Sequence, residues 1–223
     1  MDARSLRRQV LLSSTMLVSA LVGYGRRAYA ACPVTVAPNY LCSGANAATI
    51  TINANNANVS TAAAPAFSIN AAAGNALTIT GNGALVYTDA NASPLTAPAT
   101  ALFIRSTGDD GLTPGSVTVD TNGVLIGGGY GIRASNYGGG ALSITANGAV
   151  TGGNYTAIRA ENFAAGTDLS VTAAGTVFGN FFGIIASNYG TGALSVCVWN
   201  LGGRSPWGHA TEYCCQPRCW RPH

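Results

Sequence analysis

Three stretches of the chain are copies of one phrase at a fixed interval: GIRASNYGGGALS at Gly131–Ser143, AIRAENFAAGTDLS at Ala157–Ser170 and GIIASNYGTGALS at Gly183–Ser195. Their heads align without gaps, so Gly131, Ala157 and Gly183 are each 26 residues apart. The same interval relates Ile132/Ile158/Ile184, Ala134/Ala160/Ala186, Asn136/Asn162/Asn188 and Tyr137/Phe163/Tyr189. A second phrase follows each head: LSITANGAV (Leu142–Val150), LSVTAAGTV (Leu169–Val177) and LSV (Leu194–Val196). It recurs upstream at looser spacing as LTITGNGAL (Leu77–Leu85) and VTVDTNGVL (Val117–Leu125). A period of this size means a stacked solenoid, a propeller or an array.

Local periodicity selects among these. In Leu142-Ser143-Ile144-Thr145 and its copies, apolar and hydroxyl residues alternate, which puts Leu, Ile and Val on one face and Ser and Thr on the other. β-Branched residues fill the runs, and Gly and Asn punctuate them at turn positions. No segment after residue 30 has the pattern of a capped amphipathic helix, so helical repeats are rejected. Propeller blades take about 40 residues or more and are disfavoured. Short strands at three corners of a 26-residue turn predict an all-β parallel β-helix.

In such a coil equivalent residues stack about 4.8 Å apart along the axis. Ile132/Ile158/Ile184 and Leu142/Leu169/Leu194 are expected inside, with the small Ala134/Ala160/Ala186 beside them. Asn136, Asn162 and Asn188 are expected to form an amide ladder at a corner. Tyr137, Phe163 and Tyr189 should form an aromatic ladder next to it. About six turns fit between Ala31 and Val196, a rod on the order of 30 Å long. An open end of the rod is an unpaired strand edge, so both ends need caps.

Charge is scarce, at 9% of residues, and its +3 balance comes from arginines at the two ends. Between Ala31 and Val196, Arg105, Arg133 and Arg159 face Asp89, Asp109, Asp110, Asp120, Glu161 and Asp168, a net of −3. That balance excludes a nucleic-acid binder, which needs a strongly basic face. Arg4, Arg7 and Arg8 precede the apolar run Val10–Val22, and Ala28-Tyr29-Ala30 is a small-x-small cleavage site. Residues 1–30 therefore read as a signal peptide, with the mature chain starting at Ala31 and keeping no membrane span. The apolar run is short of the about 20 residues of a transmembrane helix. In an oxidising compartment Cys32 and Cys42 can close a disulfide, and their loop would cap the first coil.

Catalytic groups are few. Both histidines, His209 and His223, follow Val196, so the repeats hold no base for a Ser or Cys nucleophile. Asp109, Asp110 and Asp120 with Arg105 are the nearest thing to the grouped carboxylates of a carbohydrate-active β-helix, yet Asp beside Gly and Pro is ordinary turn chemistry. GGGYGIRAS (Gly127–Ser135) has the glycines of a calcium β-roll but Arg133 where the motif needs an acid. Thr78-x-Thr80, Ser143-x-Thr145 and Ser170-x-Thr172 suggest an outward hydroxyl file, as in ice-binding β-helices, with Asp120 interrupting it. Arg133 and Arg159 should stack at adjacent rungs with Glu161 on the same face, a compensated surface file. No catalytic residue, cofactor or metal site is expected, and the chain reads as a non-enzyme.

The export signal, the Cys32…Cys42 opening, CSGANAATITINANNANVST (Cys42–Thr61) and the G-I-x-A-x-N-[YF] coils together resemble autotransporter passenger domains of proteobacteria, over residues 1–196. The resemblance implies a right-handed β-helix carried to the outer surface by a C-terminal membrane β-barrel. It implies adhesion or surface contact, with ligands on host or neighbouring cells as partners. A barrel needs many amphipathic strands of roughly ten residues, and the sequence offers none.

The last 27 residues, 197–223, hold all three tryptophans, both histidines and four of the six cysteines. A Gly/Ala/Val-rich repeat read one base out of frame becomes rich in Trp and Cys, because TGG shifts to a glycine codon and TGC to an alanine codon. The tail is therefore expected to be out of frame rather than a folded element. A metal cap from Cys197, His209, Cys214, Cys215 and Cys219 fits no standard zinc spacing. The leading expectation is a non-enzymatic surface passenger, adhesin-like or a spacer, truncated before its translocator barrel. A β-helical carbohydrate-active enzyme and the non-functional product of a frameshifted gene are the alternatives. Such a chain would cross the inner membrane, and as written would remain periplasmic or secreted.

Overall fold

The computed structural model describes residues 31–199. The expected signal peptide (1–30) and all of the expected tail beyond Trp199, including His209 and Cys214, Cys215 and Cys219, lie outside the described residues. The described chain is all β-strand, wound as a solenoid of six coils and the start of a seventh.

A short strand, β1 (Val34–Val36), precedes the coils. The first coil is β2 (Asn39–Cys42), β3 (Ala45–Asn46) and β4 (Ile50–Asn53). The second is β5 (Asn58–Thr61), β6 (Ser68–Asn70) and β7 (Leu77–Gly81). The third is β8 (Ala84–Asp89), β9 (Leu95–Ala97) and β10 (Thr100–Ser106). The fourth is β11 (Ser116–Thr121), β12 (Leu125–Gly127) and β13 (Tyr130–Asn136). The fifth is β14 (Leu142–Ala146), β15 (Val150–Gly152) and β16 (Thr156–Asn162). The sixth is β17 (Leu169–Ala173), β18 (Val177–Gly179) and β19 (Phe182–Asn188), and β20 (Leu194–Val198) opens the next.

Each coil gives one strand to each of three sheets, in which every pair is parallel except β1–β2. The first sheet runs β1-β2-β5-β8-β11-β14-β17-β20, the second β3-β6-β9-β12-β15-β18 and the third β4-β7-β10-β13-β16-β19. Alternation of apolar and polar side chains now has its cause, since successive residues point into and out of the coil. Inside the third sheet Leu77, Leu102, Ile132 and Ile158 stack in register, all fully buried. Inside the first, Leu85, Val117, Leu142 and Leu169 do the same. Each such side chain contributes about 1.5–3 kcal/mol by leaving water. Burial declines in the sixth coil, where Ile184 is half-buried and Leu194 exposed.

The second phrase does not always occupy the same sheet. VTVDT pairs with LSITA in the first sheet, as expected, but LTITG pairs with Leu102–Ser106 in the third. Thr78 and Thr80 therefore sit opposite Phe103 and Arg105, not in a file with Ser143, Thr145, Ser170 and Thr172. The physical reason is that two different corners need the same turn chemistry. Gly83 (φ +75°) turns the chain from the third sheet to the first. Gly148, between the first and second sheets, is required by close approach, since a Cβ there would lie 2.1 Å from the Gly123 carbonyl oxygen. The hydroxyl file of the first sheet consists of Thr118, Ser143, Ser170 and Ser195, flanked by Asp120, Thr145 and Thr172.

Candidate functional site

At the start of the rod, Cys32 and Cys42 form a disulfide. It ties the β1–β2 hairpin to the first coil, and Cys42 is fully buried under it. The antiparallel β1 covers the edge that β2 would otherwise present.

The asparagine ladder lies at the corner after the third sheet. Asn136 Nδ2 donates to Asn162 Oδ1 at 3.0 Å, and Asn162 Nδ2 donates to Asn188 Oδ1 at 3.1 Å. Each amide also holds its own turn: Asn136 donates to the Gly140 carbonyl (2.8 Å) and Asn162 to that of Thr167 (3.0 Å). Ser106 occupies the same register one coil earlier and donates to the Gly83 carbonyl. Next to this ladder Tyr137 and Phe163 stack at 3.9 Å between ring centroids, and Tyr189 follows at 6.0 Å with a tilted ring.

A second aromatic row escaped the sequence reading. Tyr130 and Tyr155 stack at 5.2 Å at the opposite end of the third-sheet strands, and Phe181 follows them, its N–H bonded to the Tyr155 carbonyl. The signal that could have found it is the aromatic residue one or two places before each G-I or A-I head.

Between the two rows stand the three arginines. Arg133 and Arg159 are in register, with Phe103 on the rung before them. Arg105, Ser135 and Glu161 form the neighbouring file. The Arg105 guanidinium lies over the Tyr137 ring at 4.6 Å, and that of Arg133 lies between Phe103 (5.7 Å) and Tyr130 (5.6 Å). Arg159 pairs with Glu161 at 2.7 Å and donates to the Tyr130 hydroxyl at 3.3 Å. The Glu161 carboxylate, then the Tyr130 hydroxyl, raise the Arg159 guanidinium further above its already high value. The compensated file is thus half of what is present, since Arg105 and Arg133 have no carboxylate partner among the described residues.

The carboxylates proposed for an enzyme do not converge. Asp109, in the loop between β10 and β11, accepts from the N–H groups of Gly115 in the same loop (2.7 Å) and of Gly139 in the turn between β13 and β14 (2.8 Å). Asp110 accepts from the Asn56 amide and from the N–H groups of Thr113 (2.5 Å) and Leu112 (2.9 Å). Asp120 points outward from the first sheet. Bonds from Gly115 and then Gly139 hold Asp109 below the ordinary carboxylate range, and Asn56 and then Thr113 do the same for Asp110. Groups with lowered values stabilise the fold above the ordinary pKa of 3.8, and that contribution disappears as pH falls through their folded values. The double variant Asp109→Asn/Asp110→Asn should accordingly lose less thermal stability than the parent between about pH 6 and pH 2. Equal losses in melting experiments would show that these turns are not held by ionised carboxylates.

Asp89 is the other residue that the sequence did not single out. It is 1% exposed, and its oxygens collect Thr61 Oγ1 (2.8 Å), the N–H groups of Asn91 (3.1 Å), Ser93 (2.9 Å) and Gly123 (2.9 Å), and a longer contact from Thr121 Oγ1 (3.4 Å). Its role is to clamp the second, third and fourth coils at one corner. Neighbouring Tyr87 is fully buried, and burial, followed by the Asp89 charge, pushes its phenol well above the ordinary value.

Among the described residues no helix is long and apolar enough to cross a membrane, and no group of His, Cys, Asp and Glu is arranged to hold a metal ion. In comparisons with known proteins, no protein-family model, no curated protein and no solved structure matches the chain.

Proposed function

We propose that the chain is a non-enzymatic, exported β-helical passenger of autotransporter type, an adhesin-like or spacer rod that works at a cell surface. The observation that supports this reading best is the solenoid itself, a narrow aliphatic core whose polar and aromatic side chains are displayed as rows on the outside. Such a scaffold has its chemistry on an extended face and suits contact with an extended partner. A disulfide at its first hairpin agrees with passage through an oxidising compartment. A polysaccharide-cleaving reading has less support, because Asp109 and Asp110 spend their lone pairs on backbone and amide donors of their own turns.

The test is to express the gene in a Gram-negative cell, label intact cells with an antibody raised against residues 31–199, and sequence the N-terminus of the labelled product. Export predicts a chain that begins at Ala31 and is found outside the inner membrane. A product confined to the cytosol with residues 1–30 retained would end the proposal.

A further inference from the structure

All three cations of the described chain lie on one face of the rod, the outside of the third sheet. Five of the six carboxylates are elsewhere or occupied. Asp89 is buried at the corner after the first sheet, and Asp120 is on the first sheet. Asp109, Asp110 and Asp168 sit at the corner beyond Tyr137, bonded to the N–H groups of Gly115 and Gly139, of Leu112 and Thr113, and of Ala193. Only Glu161 shares the face, and it neutralises Arg159. The region Ala31–Val196, of net −3, has therefore gathered its positive charge into one strip, where Arg105 and Arg133 have no carboxylate partner among the described residues.

The strip is also preorganised. The Arg105 guanidinium is held over the Tyr137 ring and that of Arg133 between Phe103 and Tyr130, while the Nε atoms of Arg105, Arg133 and Arg159 are buried without a hydrogen-bond partner among the described residues. A guanidinium stacked on a ring keeps its outer N–H edge free for bidentate bonding to an oxyanion, and little entropy remains to be lost when it binds. Along β13 and the residue after it the order is ring, arginine, ring (Tyr130, Arg133, Tyr137), repeated along β16 and its two flanking residues as Tyr155, Arg159 and Phe163. Tyr137 and Tyr155 are exposed. The unit occurs on two adjacent coils about 4.8 Å apart, and because its rings stack on one another the face offers aromatic edges beside cations.

We propose that this face binds an acidic polysaccharide, lying over the third sheet with its sugar rings against the exposed edges of Tyr137 and Tyr155 and its anionic groups on Arg105 and Arg133. A pyranose ring with a carboxylate or sulfate presents C–H groups and an oxyanion at spacings that aromatic edges and arginines on adjacent rungs can meet. Single-stranded nucleic acid also stacks on aromatic residues, but it carries a charge at every nucleotide and follows a groove more basic than two free arginines. The inference deepens the surface-contact reading and rests on it for its setting.

The experiment uses the full purified chain over immobilised polygalacturonate and heparin, the carboxylate and sulfate sources, with fully methyl-esterified polygalacturonate as the neutral control. Saturable, salt-sensitive binding to at least one anionic chain, with none to the ester, is the expected result, and the tighter of the two names the anion. Arg133→Gln should weaken it at least about tenfold, the loss of one charge-assisted bidentate pair. Glu161→Gln should strengthen binding, because it frees Arg159 and removes a like charge from the ligand's path. This opposite sign cannot come from a damaged fold. Failure to bind either polymer, indifference to both substitutions, or equal affinity for a poly(dT) strand would overturn the assignment. A chain labelled on intact cells that binds neither polymer loses only its ligand. A chain that binds polygalacturonate but stays in the cytosol keeps the ligand and loses the surface reading.

Discussion

Asp89→Ala is expected to cost about 3–5 kcal/mol, the range for stripping a buried charge from the donors built around it. The substitution orphans three backbone N–H groups, on Asn91, Ser93 and Gly123, in addition to the hydroxyl of Thr61. The Ser93 and Gly123 groups and the Thr61 hydroxyl cannot turn to water without opening the corner, because Thr61, Ser93, Thr121 and Gly123 are buried. Asparagine should rescue little. One carboxylate oxygen serves Thr61 and Asn91 while the other serves Ser93 and Gly123, so an amide NH2 would point a donor at donors on one side. Equilibrium denaturation of both variants checks this. A midpoint for Asp89→Asn close to that of the parent would show that geometry, and not charge, holds the corner.

Asn162→Ala is the second large effect, expected at about 2–4 kcal/mol, since the central amide of a ladder leaves buried partners unmade above and below it. Asn136 Nδ2 loses its 3.0 Å acceptor, Asn188 Oδ1 its 3.1 Å donor, and the Thr167 carbonyl one of its two amide donors, that of Asn188 remaining. The cost should be local, because each coil touches only its neighbours. Native-state hydrogen exchange should show protection falling in β16 and β19 while β7 and β8 exchange as before. Asn162→Asp separates polarity from hydrogen bonding, for a carboxylate has no proton to give to the Thr167 carbonyl or to Asn188. Uniform loss of protection along the rod would instead mean that the coils unfold as one unit.

The repeat made part of this structure legible and hid the rest for a physical reason. Ile132, Ile158 and Ile184 recur at 26 residues and meet in register, so constant spacing translated directly into stacking. Where spacing varies, it did not: the first-sheet strands are offset by 28 residues from β5 to β8 (Asn58↔Val86) and by 32 from β8 to β11 (Ala84↔Ser116). That irregularity is why LTITG was given the wrong sheet, and why Thr61, Asp89 and Thr121 could not be seen to share a corner. The arginine face was half legible. Arg133, Arg159 and Glu161 follow from the repeat, whereas Arg105 enters only because the loop after β10 absorbs the extra residues without disturbing the rung.

The direction of the ladders has a mechanical consequence. Backbone hydrogen bonds between coils run along the rod, so tension applied to its two ends loads them one layer at a time. Such a stack lengthens in steps, each coil releasing about 26 residues, or about 90 Å of slack, before the next begins to yield. The Cys32–Cys42 bond routes the load past the first hairpin, and extension at that end therefore starts beyond β2. A rod of this kind tethered between two bodies would dissipate a sudden pull without losing its grip on either.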